Sequence, residues 1–157
     1  MNKRDIIIPV DELTEEELTA AERELVEAAR KATQTSYAPY SRFHVGAAIR
    51  LSDGAVVSGS NQENVAFPSG ICAERTACYY AGASHPDATF EMIAIAARDS
   101  KGEPTAEPIA PCGACRQALL EYELRADHDV PLLLAGRDTI LRLPSVRSTL
   151  PVTFTEF

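Results

Sequence analysis

Two short strings carry side chains that could grip a metal: Cys72-Ala73-Glu74 and Pro111-Cys112-Gly113-Ala114-Cys115. Together they offer three thiolates and one carboxylate. Three protein ligands with an open fourth position is the arrangement of a catalytic zinc, whereas a structural zinc is closed by four. Glu74 stands two residues past a ligand, where it could take a proton from a water at the open position and return it as a general acid. The spacing of Cys112 and Cys115 puts two sulfurs on one helical turn, close enough to share one ion.

Charge is the difficulty for such a site. Zinc at +2 with three thiolates leaves a net negative centre, which opposes ionising a bound water. Both strings fall where a loop gives way to a helical pattern, and helix N-termini offset negative charge and lower cysteine pKa values. Arg75, one residue past Glu74, could donate hydrogen bonds to the ligand sulfurs and moderate their charge from outside the ligand set. A thiolate is the form a metal requires.

The fourth cysteine, Cys78, lies about 600° round a helix from Cys72 and therefore points away from it. It reads as a small buried filler. A closed structural zinc would need its last ligand from Cys78, His44, His85 or His128, and these histidines bear no spacing relation to Cys112 and Cys115. A redox dithiol at Cys112 and Cys115 would leave Cys72-Ala73-Glu74 without a purpose.

The elements that must position these groups can be read along the chain. Thr14 and Glu17 form a capping box ahead of a helix with an apolar stripe of Leu18, Ala21, Leu25, Ala28, Ala29 and Ala32. Strands are expected over 44–51 and 55–59, joined by the turn Asp53-Gly54. A helix over 72–82, a buried strand over 90–97, a Pro-rich loop over 98–111 and a helix over 112–124 follow. Two more strands, 130–135 and 139–143, close the order. That alternation is an α/β sandwich on a mixed sheet.

Composition sets the outer limits. The chain has 157 residues, 45% apolar and 24% charged, which suits one globular domain over 1–157 with residues 1–13 as an N-terminal extension. No apolar run approaches the roughly 20 residues of a membrane span, and Ile6-Ile7-Ile8 before Pro9 is too short for a signal sequence. A cytoplasmic location is expected, where thiols serve metals more often than disulfides. The net charge is −8, from 23 acidic and 15 basic side chains. Without a cluster of Lys and Arg, this balance speaks against a nucleic acid partner and for a small uncharged substrate. It also speaks against a zinc-stabilised RNA-binding module, as does the lack of tryptophan.

Four strings taken together, Tyr40 to Ala48, Asn61-Gln62-Glu63-Asn64, Cys72 to Ala77 and Pro111 to Gln117, resemble the small zinc-dependent cytidine deaminases. The likeness runs from about residue 20 to Phe154, and the ligand-x-Glu…Pro-Cys-x-x-Cys pattern is the zinc deaminase signature in its three-cysteine form. The resemblance implies a three-layer α/β/α sandwich with a five-stranded mixed sheet. It implies one zinc per subunit and hydrolysis of cytidine and 2'-deoxycytidine to the uridine nucleosides with release of ammonia, a step of pyrimidine salvage.

The same resemblance assigns residues. Cys72, Cys112 and Cys115 hold the metal and Glu74 moves protons. Asn61 and Glu63 bind the ribose hydroxyls, Phe43 stacks on the pyrimidine, the Ala73 backbone meets the base carbonyl and the Ala110 carbonyl meets the exocyclic amine. Phe154, in Leu150-Pro151-Val152-Thr153-Phe154, reaches a neighbour's site in a homotetramer with shared active sites. Phe67 departs from the family's frequent Tyr. Blasticidin deaminases share the Cys-x-Glu but lack the Asn-x-Glu-Asn string, so a free nucleoside such as cytidine is the expected substrate and blasticidin S the alternative.

Overall fold

In the computed structural model, which describes residues 1–155, the sheet has strand order β1-β6-β5-β4-β2-β3. The strands are β1 (Asp11–Leu13), β2 (His44–Leu51), β3 (Val56–Ser60), β4 (Phe90–Arg98), β5 (Leu132–Ala135) and β6 (Ile140–Leu143). Three helices accompany them: α1 (Ala20–Ala32), α2 (Ala73–Ser84) and α3 (Gly113–Ala126). β4 and β5 run parallel across the α3 crossover, and the other neighbours are antiparallel.

β4 shows why there are three layers. Its run Ile93-Ala94-Ile95-Ala96 is buried throughout, and alternate residues of a strand point to opposite faces. Ile93 and Ile95 join Ile49, Leu132 and Leu134 under α2 and α3, packed on Ala77, Ala81, Leu119 and Leu120. Ala94 and Ala96 join Ala48, Leu133 and Ala135 under α1, packed on Leu25, Val26 and Ala29. Within β4, large residues therefore fill the two-helix face, while small ones let the single helix sit close.

Two expectations are corrected. The sheet has six strands among the described residues where five were expected, because Asp11–Leu13 of the N-terminal stretch pairs with β6. The Thr14–Glu17 box exists, with Glu17 accepting from the Thr14 amide at 2.8 Å, but it caps only a 3-10 turn at Glu15–Glu17. A second box starts α1: Glu22 accepts from the Thr19 amide at 2.8 Å and the Thr19 hydroxyl accepts from the Glu22 amide at 3.2 Å. Ala21 accordingly faces solvent, and Val26 takes a core position in the stripe.

β3 and β4 are both antiparallel to β2, so they point the same way. The loops that follow them, 61–72 and 99–112, leave the same end of the sheet, and α2 and α3 begin there on the same face. In open α/β sheets this is the end where ligands gather. Gly59 seats α2: a Cβ there would run into the Ala77 nitrogen and come to 2.9 Å from the Ala73 carbonyl oxygen. Gly59→Ala should therefore destabilise the fold by about 1–3 kcal/mol, the usual cost of overpacking. Urea unfolding would check this, and a midpoint equal to that of the native chain would contradict the seat.

Candidate functional site

Cys72 is the N-cap of α2 and Cys112 the N-cap of α3, with Cys115 in the first turn of α3. The three sulfurs lie within 4.8 Å of one another. Cys72 Sγ is 4.0 Å from Cys112 Sγ, which is 3.5 Å from Cys115 Sγ. Tetrahedral zinc with bonds near 2.3 Å spaces its sulfurs by about 3.8 Å, so these residues fit the ion. The alternative fourth ligands are engaged elsewhere. His44 Nδ1 is 3.1 Å from the Ser36 hydroxyl, His85 pairs with Asp53 at 2.7 Å and His128 with Glu91 at 3.4 Å. Cys78 is fully buried, and its Sγ lies 4.0 Å from the Ala118 carbonyl.

The sulfurs are not equivalent. A hydrogen bond from Cys115 is the main influence holding the Cys72 thiol well below its ordinary pKa, and Arg75 and Cys112 work in the same direction. The same bond, together with burial, pushes Cys115 up. The cluster therefore favours the thiolate at Cys72, with Cys115 as its hydrogen-bond donor. Arg75 Nη2 lies 3.8 Å from Cys72 Sγ, where sequence reasoning expected it.

Glu74, in the first turn of α2, is only 4% exposed. Burial raises its pKa, and the Cys72 charge raises it further; a hydrogen bond with Cys115 works against both. A carboxyl in this position keeps a proton at a pH where an exposed glutamate has lost it. That is the property required of a group that both accepts and delivers protons.

A cleft of about 560 Å³ opens beside the sulfurs, with Cys72, Arg75, Asn61, Glu63, Tyr40 and Phe67 among its walls. This lies within the range of small-molecule sites. Asn61 Nδ2 donates to the Phe43 carbonyl at 2.9 Å, and its Oδ1 accepts from the Val45 amide at 2.8 Å. Glu63 Oε2 accepts from the amides of Tyr40 and Ser41 at 2.9 and 3.2 Å. Both side chains thus clamp the loop leading into β2. Arg42 in that loop has φ 54°, the left-handed region a non-glycine residue rarely enters.

The remaining expected residues stand apart from the described lining of this cleft. Phe43 is half-buried, with its carbonyl tied to Asn61; Ala110 is exposed in the loop before Pro111; Ala73 is buried as the first residue of α2. Phe154 is 61% exposed, and Gln117 Nε2 donates to its carbonyl at 3.0 Å. Sequence reasoning gave no role to Tyr40, whose ring meets Phe67 edge-on at 6.1 Å. Exposed aromatic side chains beside a polar string were the available signal.

Comparison with known proteins decides the family. The profile described as "Cytidine and deoxycytidylate deaminase zinc-binding region" matches residues 19–127. The chain belongs to this deaminase family. A cytidine deaminase of Sporosarcina psychrophila is 35% identical over 132 residues, 84% of this chain and 90% of its own length. One of Mycobacterium tuberculosis is 43% identical over 105 residues, 65% of this chain and 74% of its own. The crystal structure of cytidine deaminase from Burkholderia pseudomallei matches with a TM-score of 0.72 at 38% identity, covering 87% of this chain and 100% of that one. The Cys72, Cys112 and Cys115 cluster of this deaminase-family chain fits a zinc site, and among the described residues no helix is long and apolar enough to cross a membrane.

The uneven sulfurs are open to test. With metal stripped by a chelator, iodoacetamide should modify Cys72 at pH 7 well ahead of Cys78. A lowered pKa keeps the Cys72 thiolate populated below the ordinary value of about 8.5, whereas burial pushes Cys78 up to about 12. Arg75→Gln removes one donor and should move Cys72 modification to higher pH. Peptide mapping by mass spectrometry reads both rates, and equal rates at the two cysteines would contradict the assignment.

Proposed function

We propose that this protein hydrolyses cytidine and 2'-deoxycytidine to uridine and 2'-deoxyuridine with release of ammonia, as a cytoplasmic enzyme of pyrimidine salvage. The observation that carries the reading is a buried carboxyl, Glu74, set against three clustered sulfurs, one of which, Cys72, lines a cleft of nucleoside size. Zinc held by Cys72, Cys112 and Cys115 would keep one position free and supply Lewis-acid activation of a water molecule.

Glu74 performs the proton traffic. It accepts a proton from the attacking water and delivers it to the ring nitrogen N3 as oxygen bonds to C4. It then carries the second proton to the exocyclic amine, so that the C4–N4 bond breaks and ammonia leaves. Arg75 spreads the charge of Cys72, which limits how strongly the thiolates oppose ionisation of water.

Asn61 and Glu63 read the ribose hydroxyls, supported by their position in the cleft wall. Their bonds to the 40–45 loop hold them ready, and a sugar lacking the matching hydroxyl would leave polar groups unpaired. Phe43 stacks on the pyrimidine, the Ala73 backbone meets the base carbonyl and the Ala110 carbonyl receives the amine. Phe154 completes the site of a neighbouring subunit in a homotetramer, consistent with an aromatic ring that is largely exposed on one chain.

Zinc-loaded protein should convert cytidine with one ammonia released per uridine formed. Glu74→Gln should lower kcat by about 100-fold or more while zinc content is unchanged. Ammonia from another aminopyrimidine nucleoside such as blasticidin S, with none from cytidine, would replace the substrate and keep the chemistry. Truncation after Pro151 should raise KM and loosen the oligomer on gel filtration. Unchanged assembly and KM would detach Phe154 from the shared site.

A further inference from the structure

The segment after β6 is held by one helix. Its 3-10 turn, Val146–Thr149, meets α3 at both ends. The buried Glu123 carboxylate accepts from the Val146 and Arg147 amides at 2.7 and 3.0 Å, and from the Val130 amide at 3.0 Å. At the other end, Arg116 Nη1 donates to the Thr149 carbonyl at 3.0 Å. Donors face the carboxylate and a carbonyl faces the guanidinium, so the turn has a single matched orientation on the helix.

Arg116 has a second bond. Its Nε donates to the Pro111 carbonyl at 2.8 Å, and Pro111 immediately precedes the metal ligand Cys112. The proline ring already fixes φ near −65°. With the carbonyl held as well, the path from Ala110 through Pro111 to Cys112 has little freedom left. One planar guanidinium thus joins the entrance of the metal loop to the end of the C-terminal turn, a fixed geometry that a lysine ammonium cannot reproduce.

We infer that Arg116 is a positioning residue: it sets the direction of the Ala110–Pro111 peptide and of Cys112, and makes both depend on the docked C-terminal segment. This rests on the deaminase reading above, in which the Ala110 carbonyl receives the amine. As the amine leaves it becomes a better hydrogen-bond donor, so an error in that carbonyl's direction weakens the transition state more than the substrate complex.

The experiment uses full-length protein with Arg116→Ala and Arg116→Lys. At full zinc content Arg116→Ala should lose about 10- to 100-fold in kcat while KM changes less than about three-fold, and millimolar ethylguanidinium should restore part of the loss. The cobalt-loaded variant, measured without substrate, should show a shifted thiolate-to-metal charge-transfer band. If Arg116→Ala does not fold, Arg116→Lys, which can serve one carbonyl only, is read by the same criteria. An unchanged kcat, or a loss that merely follows lost zinc, would overturn the inference. If the native chain released no ammonia from cytidine, the deaminase reading would fail instead, and the cobalt band alone would judge the brace: shifted supports it, unshifted overturns it.

Discussion

Three sulfurs held within a few ångströms of one another want to share protons or a cation, and much of the fold serves that demand. Thiols this close cannot all ionise without compensation. Compensation comes from two helix starts, Cys72 opening α2 and Cys112 opening α3, and from the Arg75 guanidinium. The two helix starts meet because β3 and β4 run in the same direction and release their loops at one end of the sheet. Strand direction is thus upstream of the chemistry. A chain with the same cysteines but with one of these strands reversed would place its two ligand groups at opposite ends.

The distribution of side-chain size across the sheet works toward the same result. The isoleucines of β4 fill the space below α2 and α3, whose N-termini face one another at the metal-binding cysteines. The alanines on the other side let α1 close down on the sheet. Glycine finishes the seating of α2 at Gly59, directly under the turn that carries Cys72 and Glu74. Large-to-small alternation along β4 and one missing Cβ therefore translate into the placement of Cys72 and of the buried Glu74 carboxyl.

How much of this could be read from the sequence depended on the range of each interaction. The grouping of Cys72, Glu74, Cys112 and Cys115 was legible because it is encoded in spacings of two or three residues at two helix starts. Apart from the start of α1, the core strands and helices were legible because their apolar periods are local, with bounds off by at most two residues. The start of α1 was misplaced because Thr14 and Thr19 each head a valid capping box, and only the packing of Leu25, Val26 and Ala29 on the sheet selects the second. β1 was not legible: Asp11-Glu12-Leu13 has no strand pattern and exists through pairing with β6. The duties of Glu123 and Arg116 were hidden for a related reason, since their partners are backbone amides and carbonyls, which leave no mark in residue type.

β1 is small but its place matters. It lies along the outer side of β6, anchored by Arg142, which donates to Asp11 at 2.8 Å through Nη2 and to the buried Glu22 at 3.0 Å through Nη1. Without it, β6 would present its free backbone groups as a template for any extended chain, the usual starting point of edge-to-edge aggregation. The cover is short and carries two acidic residues, a combination that discourages a further strand from adding. Residues 11–13 thus act as a selvedge: they finish the border of the sheet so that it does not grow.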